Sequence, residues 1–160
     1  MFKFLAREPD FLVGDYMQRW YIIPRNRFFN IYLHKFVGDD EVRALHDHPW
    51  RSLSILLKGK YIEHRQGHEP KVFRRGSVIY RGAEYAHRIE LFNDDINWRD
   101  AVAKRKGKIV IFYKPLPVWT IFITGRKIRD WGFHCPKGWR LWSDFVSQDD
   151  HGKVGRGCDD

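Results

Sequence analysis

His46 and His48 are separated by one residue in the run Leu45-His-Asp-His-Pro-Trp-Arg-Ser52. Alternate residues of a strand share a face, so the two imidazoles stand side by side, at a spacing that can chelate one metal ion. The same pair would serve as ordinary solvent-facing histidines at a strand edge, and spacing alone does not separate the two readings. His87 opens a later strand, after Gly76 and Gly82 bracket the one before it. Asp47, between two histidines, faces the opposite way. His34, His64 and His68 have no partner at ligand spacing and read as surface residues, while His151 falls near the C-terminus. The sequence holds no G-x-x-x-x-G-K-[ST] phosphate loop, no G-x-S-x-G elbow and no paired-cysteine ribbon.

Short strands must position these residues. Apolar runs rich in Ile, Val, Tyr, Phe and Trp, bounded by Gly, Pro, Asn or Asp, predict strands over Arg19–Ile23, Phe29–Lys35, Arg51–Leu57 and Lys60–His64. Further strands are predicted over Ser77–Arg81, His87–Leu91, Lys108–Tyr113 and Trp119–Thr124. Turn signals separate them at Lys58-Gly59, Gly67–Pro70, Arg75-Gly76 and Gly125. This spacing points to an all-β sandwich or barrel. Helix signals are few: a turn within Pro9–Met17, another over Asp100–Arg105 with Asp100 as N-cap, and a short closing helix over Trp139–Val146.

With 160 residues, 43% of them hydrophobic and 16% aromatic, the chain can build one core, so a disordered chain is excluded. One domain over 1–149 and a flexible polar tail over 150–160 are expected. No apolar run approaches the roughly 20 residues of a membrane span, so no membrane partner is expected, and Arg7, Glu8 and Asp10 break up the N-terminus too early for a secretory signal. Two cysteines, Cys135 and Cys158, make no disulfide framework, which points to a reducing, cytoplasmic location and leaves Cys158 idle in the tail. The net charge of +9 is carried wholly by residues 101–140, which hold ten Lys or Arg against one acid, Asp130. A solvated basic face explains that excess more simply than a nucleic-acid site, since no nucleic-acid motif accompanies it.

The two histidine segments resemble the paired motifs of the cupin superfamily. The first, G-x5-H-x-H-x3,4-E-x6-G, is matched by His46, His48 and Gly59, with Gly38 two residues too far away; the second, G-x5-P-x-G-x2-H-x3-N, is matched by Gly76 and His87. Gly82, Glu84 and Leu91 stand at its proline, second glycine and asparagine. The resemblance implies a double-stranded β-helix, or jelly roll, with short peripheral helical turns. It implies that His46, His48 and His87 converge on one divalent transition metal, such as Fe, Zn, Mn or Ni. The usual glutamate ligand is replaced by Ser52, a poor ligand; three imidazoles with open positions still suit Zn²⁺ or Fe²⁺. Glu63 or Glu84 could complete the shell, and Glu63 is preferred. The HDHPW run and the segment Trp131-Gly-Phe-His-Cys-Pro-Lys-Gly-Trp139 also resemble a group of small bacterial and phage cupin-like proteins, to which no reaction is attached.

Ser52, Tyr61, Glu63, Arg81 and Arg88 are the candidate substrate-binding residues, the arginines because a guanidinium fork suits carboxylate or phosphate. Trp119, Trp131, Trp139 and Trp142 are expected to close the core rather than stack a ligand, and His134 and Cys135 are not expected to join the histidine site. Three functions follow: a metal-dependent enzyme of oxygenase or isomerase type acting on a small, anionic molecule; a non-catalytic module binding a small-molecule ligand; and a basic nucleic-acid binder. The cupin resemblance further implies a homodimer.

Overall fold

A computed structural model describes residues 7–40, 44–93, 102–105, 108–111, 115–149 and 153–158. Its strands in chain order are β1 (Phe11–Val13), β2 (Met17–Tyr21), β3 (Asn30–Phe36), β4 (Leu45–His46), β5 (Ser52–Lys58), β6 (Lys60–Arg65) and β7 (His68–Arg74). They continue as β8 (Val78–Arg81), β9 (His87–Leu91), β10 (Val102–Arg105), β11 (Lys108–Ile111), β12 (Val118–Thr124), β13 (Gly132–Cys135) and β14 (Gly138–Leu141), with one short helix, α1 (Trp142–Phe145). Two antiparallel six-stranded sheets result, in the orders β1-β2-β3-β12-β5-β8 and β14-β13-β4-β9-β6-β7, and β10 and β11 form a separate hairpin.

Period-two alternation writes the inner faces directly into the sequence. In β5, Ser52, Ser54 and Leu56 are buried; in β12, Val118, Thr120, Phe122 and Thr124; in β9, His87, Ile89 and Leu91. β5 and β9 run from a polar end to an apolar end, and β12 runs between apolar Val118 and polar Thr124 with Thr120 and Phe122 interleaved. The apolar ends meet in a core of Met17, Phe36, Leu56, Tyr61, Ile79, Ile89, Leu91 and Val118. The polar ends bring Ser52, Arg81 and Thr124 into adjacent register, with His46 paired to His87 on the other sheet. A second cluster, Ala44, Phe133 and Phe145, closes that end, with the Phe133 and Phe145 rings stacked.

Several expectations need correction. Residues 11–13 form a strand rather than a helical turn, because Gly14, at φ 51°, reverses the chain and pairs β1 with β2. Residues 102–105 are strand, not helix; Asp100 lies outside the described residues. The closing helix shrinks to α1, since Gly138–Leu141 pairs with β13. Gly67–Pro70 is only in part a turn, because β7 resumes at His68. That strand occupies a sheet edge, where the missing N–H of Pro70 costs no ladder bond and burial leaves no alternation to read.

The C-terminal stretch does not fray as expected. Val154 bridges Val146, and the Gly155 and Gly157 amides donate to the Phe145 carbonyl. Cys158, expected to be idle, is joined to Cys135 in a disulfide. The two cysteines form no framework, yet they make one crosslink that fastens the chain end to β13. Among the described residues, no helix is long and apolar enough to cross a membrane.

Candidate metal centre

Strand pairing assembles the histidines. His46 on β4 lies opposite His87 on β9, and β4 is held on its far side by Phe133 of β13. His48 follows two residues on, where its amide donates to the Ala83 carbonyl at 3.1 Å. One ligand nitrogen from each ring lies within 4.8 Å of the other two. The Nε2 atoms of His48 and His87 are 3.1 Å apart. Burial holds His48 well below its ordinary pKa and His87 at about 3, so both rings are neutral near pH 7. Two facing lone pairs share either one proton or one cation. A set of three such nitrogens is a donor group that a divalent transition metal fits.

Glu63 on β6 sits behind His87. Its Oε2 is 3.2 Å from His87 Nδ1, close but off the line a good hydrogen bond needs. Tyr85 donates to the other oxygen at 2.7 Å, and Arg81 donates to Oε2 through both Nε and a terminal nitrogen. Arg81 also donates to Ser54 Oγ and the Tyr61 hydroxyl, each at 2.9 Å. Burial alone would raise the Glu63 pKa; the close approach of His87 and the charge and bonds of Arg81 outweigh it and hold the carboxylate at about 2. Burial pushes the Tyr61 hydroxyl up to about 12. Glu63 therefore orients a ligand rather than joining the histidine group.

The remaining candidates are placed as follows. Ser52 is buried on β5, outside the histidine group, and neither its hydroxyl nor that of its cross-strand neighbour Thr124 has a hydrogen-bond partner among the described residues. Arg81, expected to hold substrate, is consumed by Glu63, Ser54 and Tyr61. Arg88 faces outward beside Glu90 and lines a shallow surface depression with Trp139 rather than the interior. Glu84 is exposed.

Asp47 points away from the histidines, as expected. It accepts from the Gly132 amide at 2.8 Å and Trp139 Nε1 at 2.9 Å, and it pairs with Arg129 and His134. Burial opposes its charge, but these partners win and keep its pKa below the ordinary value. His134 is thus occupied elsewhere, and Cys135 is in the disulfide. Gly132 is obligatory here, since a Cβ would sit 2.0 Å from the Arg140 carbonyl oxygen.

The histidines open onto a cavity of about 730 Å³. Trp131 and Trp142, stacked at 3° and 5.8 Å, form part of its wall, with Lys153 and Val154 from the fastened C-terminal stretch. Trp119 instead stacks on Trp20, and Trp139 is exposed. The sequence reading missed Arg19, His34 and Asp40 as cavity residues. His34, read as a surface residue, is buried; inward phase beside Tyr32 and Phe36 on β3 was the available signal. His64 is half-buried and bonds Glu90 at 2.7 Å, and His68 is exposed.

No protein-family model matches the sequence, and no curated protein matches it. Solved structures do match its fold. A conserved Klebsiella pneumoniae protein with a double-stranded β-helix domain aligns at TM-score 0.51 and 10% identity, over 83% of this chain and 95% of that one. A putative mannose-6-phosphate isomerase from Ralstonia eutropha aligns at TM-score 0.51 and 15% identity, over 79% and 97%. A DMSP lyase from Ruegeria pomeroyi aligns at TM-score 0.48 and 12% identity, over 72% of this chain; the chain spans 49% of that lyase's length. Two facing antiparallel sheets and these structural matches identify the fold of this chain as a double-stranded β-helix.

Proposed function

We propose that the chain is a metal-dependent cupin enzyme, of oxygenase or isomerase type, acting on a small anionic molecule in the interior cavity. His46, His48 and His87 would hold the metal, with Fe, Zn, Mn and Ni as candidates. The observation that carries this reading is the convergence of three imidazole nitrogens within 4.8 Å on the wall of a cavity large enough for a small molecule. A divalent ion there supplies Lewis-acid polarisation and, for iron, redox chemistry. The chain's own residues do the rest. Glu63 lies against the His87 ring, Arg81 and Tyr85 fix Glu63, and Trp131, Phe133 and Phe145 line the cavity with apolar surface. Metal analysis of protein purified without added metal tests the reading; near-zero content with no gain on reconstitution overturns it.

A second reading, ligand binding without catalysis, has one observation in its favour: among the described residues, no carboxylate belongs to the histidine group. His87→Ala would then leave ligand affinity almost unchanged. A nucleic-acid role has less support, because Arg129 and Lys127 are engaged by Asp47 and Asp130, and the Arg140 guanidinium donates to the Gly157 carbonyl. Cytoplasmic location is carried as part of the proposal; the Cys135–Cys158 disulfide weighs against a reducing compartment. Free-thiol counting on protein quenched directly from cells decides it.

A further inference from the structure

We propose that Arg19 is the anion-holding residue of the cavity and that the ligand it selects is a monocarboxylate. This deepens the proposed function by naming the substrate class, and it rests on that reading only for the far end of the ligand.

Arg19 projects from β2 on the sheet opposite β4 and β9, and it lines the same cavity as His46, His48 and His87. Two contacts fix its guanidinium. Nε donates to His34 Nε2 at 2.9 Å, and the group lies 4.8 Å from the centre of the Tyr32 ring. His34 is the register partner of Arg19 across β3. Burial and the neighbouring guanidinium keep that imidazole neutral, so its Nε2 accepts from Arg19 and its one proton sits on Nδ1. With Nε committed, the two terminal nitrogens remain as a fork. No carboxylate among the described residues pairs with them, whereas Arg81, the other cavity guanidinium, is neutralised by Glu63. A half-buried cation without a counter-charge is costly, and a bound anion supplies what is missing.

Charge balance chooses the anion. One free guanidinium matches one negative charge, and Asp39 and Asp40 also line the cavity. A dianionic phosphate would face both carboxylates with only Arg19 to hold it. A planar carboxylate fits the fork bidentately and carries a single charge.

The test uses the full chain, metal-free and zinc-loaded, titrated calorimetrically with benzoate, its neutral isostere benzamide, and inorganic phosphate. The wild type should prefer benzoate over benzamide by about ten- to a hundredfold in both forms, as a charge-assisted bidentate contact implies. Arg19→Gln should lose that preference, and Arg19→Lys should recover part of it. Arg25→Gln, an exposed control, should keep it all. His87→Ala should lose zinc while keeping the preference, which separates this inference from the metal reading. The proposal is overturned if the wild type shows no preference, whatever the variants do. It is also overturned if folded Arg19→Gln retains the preference, or if phosphate binds more tightly than benzoate.

Discussion

Oε2 of Glu63 lies 3.2 Å from Nδ1 of His87, on the side of the ring away from His48. The carboxylate therefore sets which His87 nitrogen faces the candidate metal. Replacing Glu63 with Gln keeps the volume and removes the charge. Metal affinity should fall about 10–100-fold, read by competition with a chelator. The same change strands the Arg81 charge inside the protein, so urea unfolding should report a loss of about 3–5 kcal/mol. Unchanged affinity would remove Glu63 from the site.

Each of His46→Ala, His48→Ala and His87→Ala should lower bound divalent metal from about one ion per chain toward zero, read by elemental analysis. His68→Ala, at an exposed position on β7, should leave it unchanged. Loss of metal in the control but not in the three would place the site elsewhere.

Acid should destabilise the metal-free protein in two stages. His87 is held at about 3 by burial, and His34 and His48 also lie well below the ordinary value. In the unfolded chain each returns to about 6.5, so there the unfolded state binds more protons. Their contribution is complete above about 6.5 and is lost as pH falls toward 3. Glu63 adds a second loss between its ordinary 4.5 and about 2. Asp40 works in the opposite sense, because burial raises its pKa. Thermal midpoints should be level from pH 7 to 8 and decline below 6.5. A constant midpoint down to pH 5 contradicts the buried neutral histidines.

Cys158→Ser should lower stability by about 3 kcal/mol, the value expected for a crosslink of this span, 23 residues in separation. Reduction of the wild type should have the same effect. Limited proteolysis would show new cleavage near the C-terminus in both cases, while the two sheets stay resistant.

We also propose that the homodimer expected from the sequence forms on the outer face of the first sheet. Val78, Tyr80 and Leu57 are exposed there, beside half-buried Leu53 and Ile55. Light scattering should give a dimer that Val78→Glu with Tyr80→Lys converts to a monomer. A monomeric wild type at tens of micromolar contradicts the proposal.

All eight strands expected from the sequence coincide in their described residues with strands or large parts of them, and β5, β6, β8, β9 and β12 alternate between buried and outward residues. What escaped reading lacks that alternation. β7 is exposed at every residue but Phe73, β4 is two residues long, and β13 and β14 each open on Gly and are joined through Pro136, which resembles loop. The His46, His48 and His87 group was legible because motif spacing fixes their strand positions. Arg19 and His34 were not, since their meeting depends on the register between β2 and β3, which no local pattern reveals. Arg81 looked free in the sequence for the same reason: its partner Glu63 comes from the other sheet.

The lengthwise grading of β5 and β9 has a practical corollary. Leu56 and Leu91 at the apolar ends belong to the core and do not line the cavity, whereas Ser54 and His87 toward the polar ends line it. Exchanging Thr120 should retune which guest is accepted, whereas trimming Leu56, Leu91 or Val118 should loosen the whole barrel. A protein built this way is a ready scaffold for re-engineered recognition.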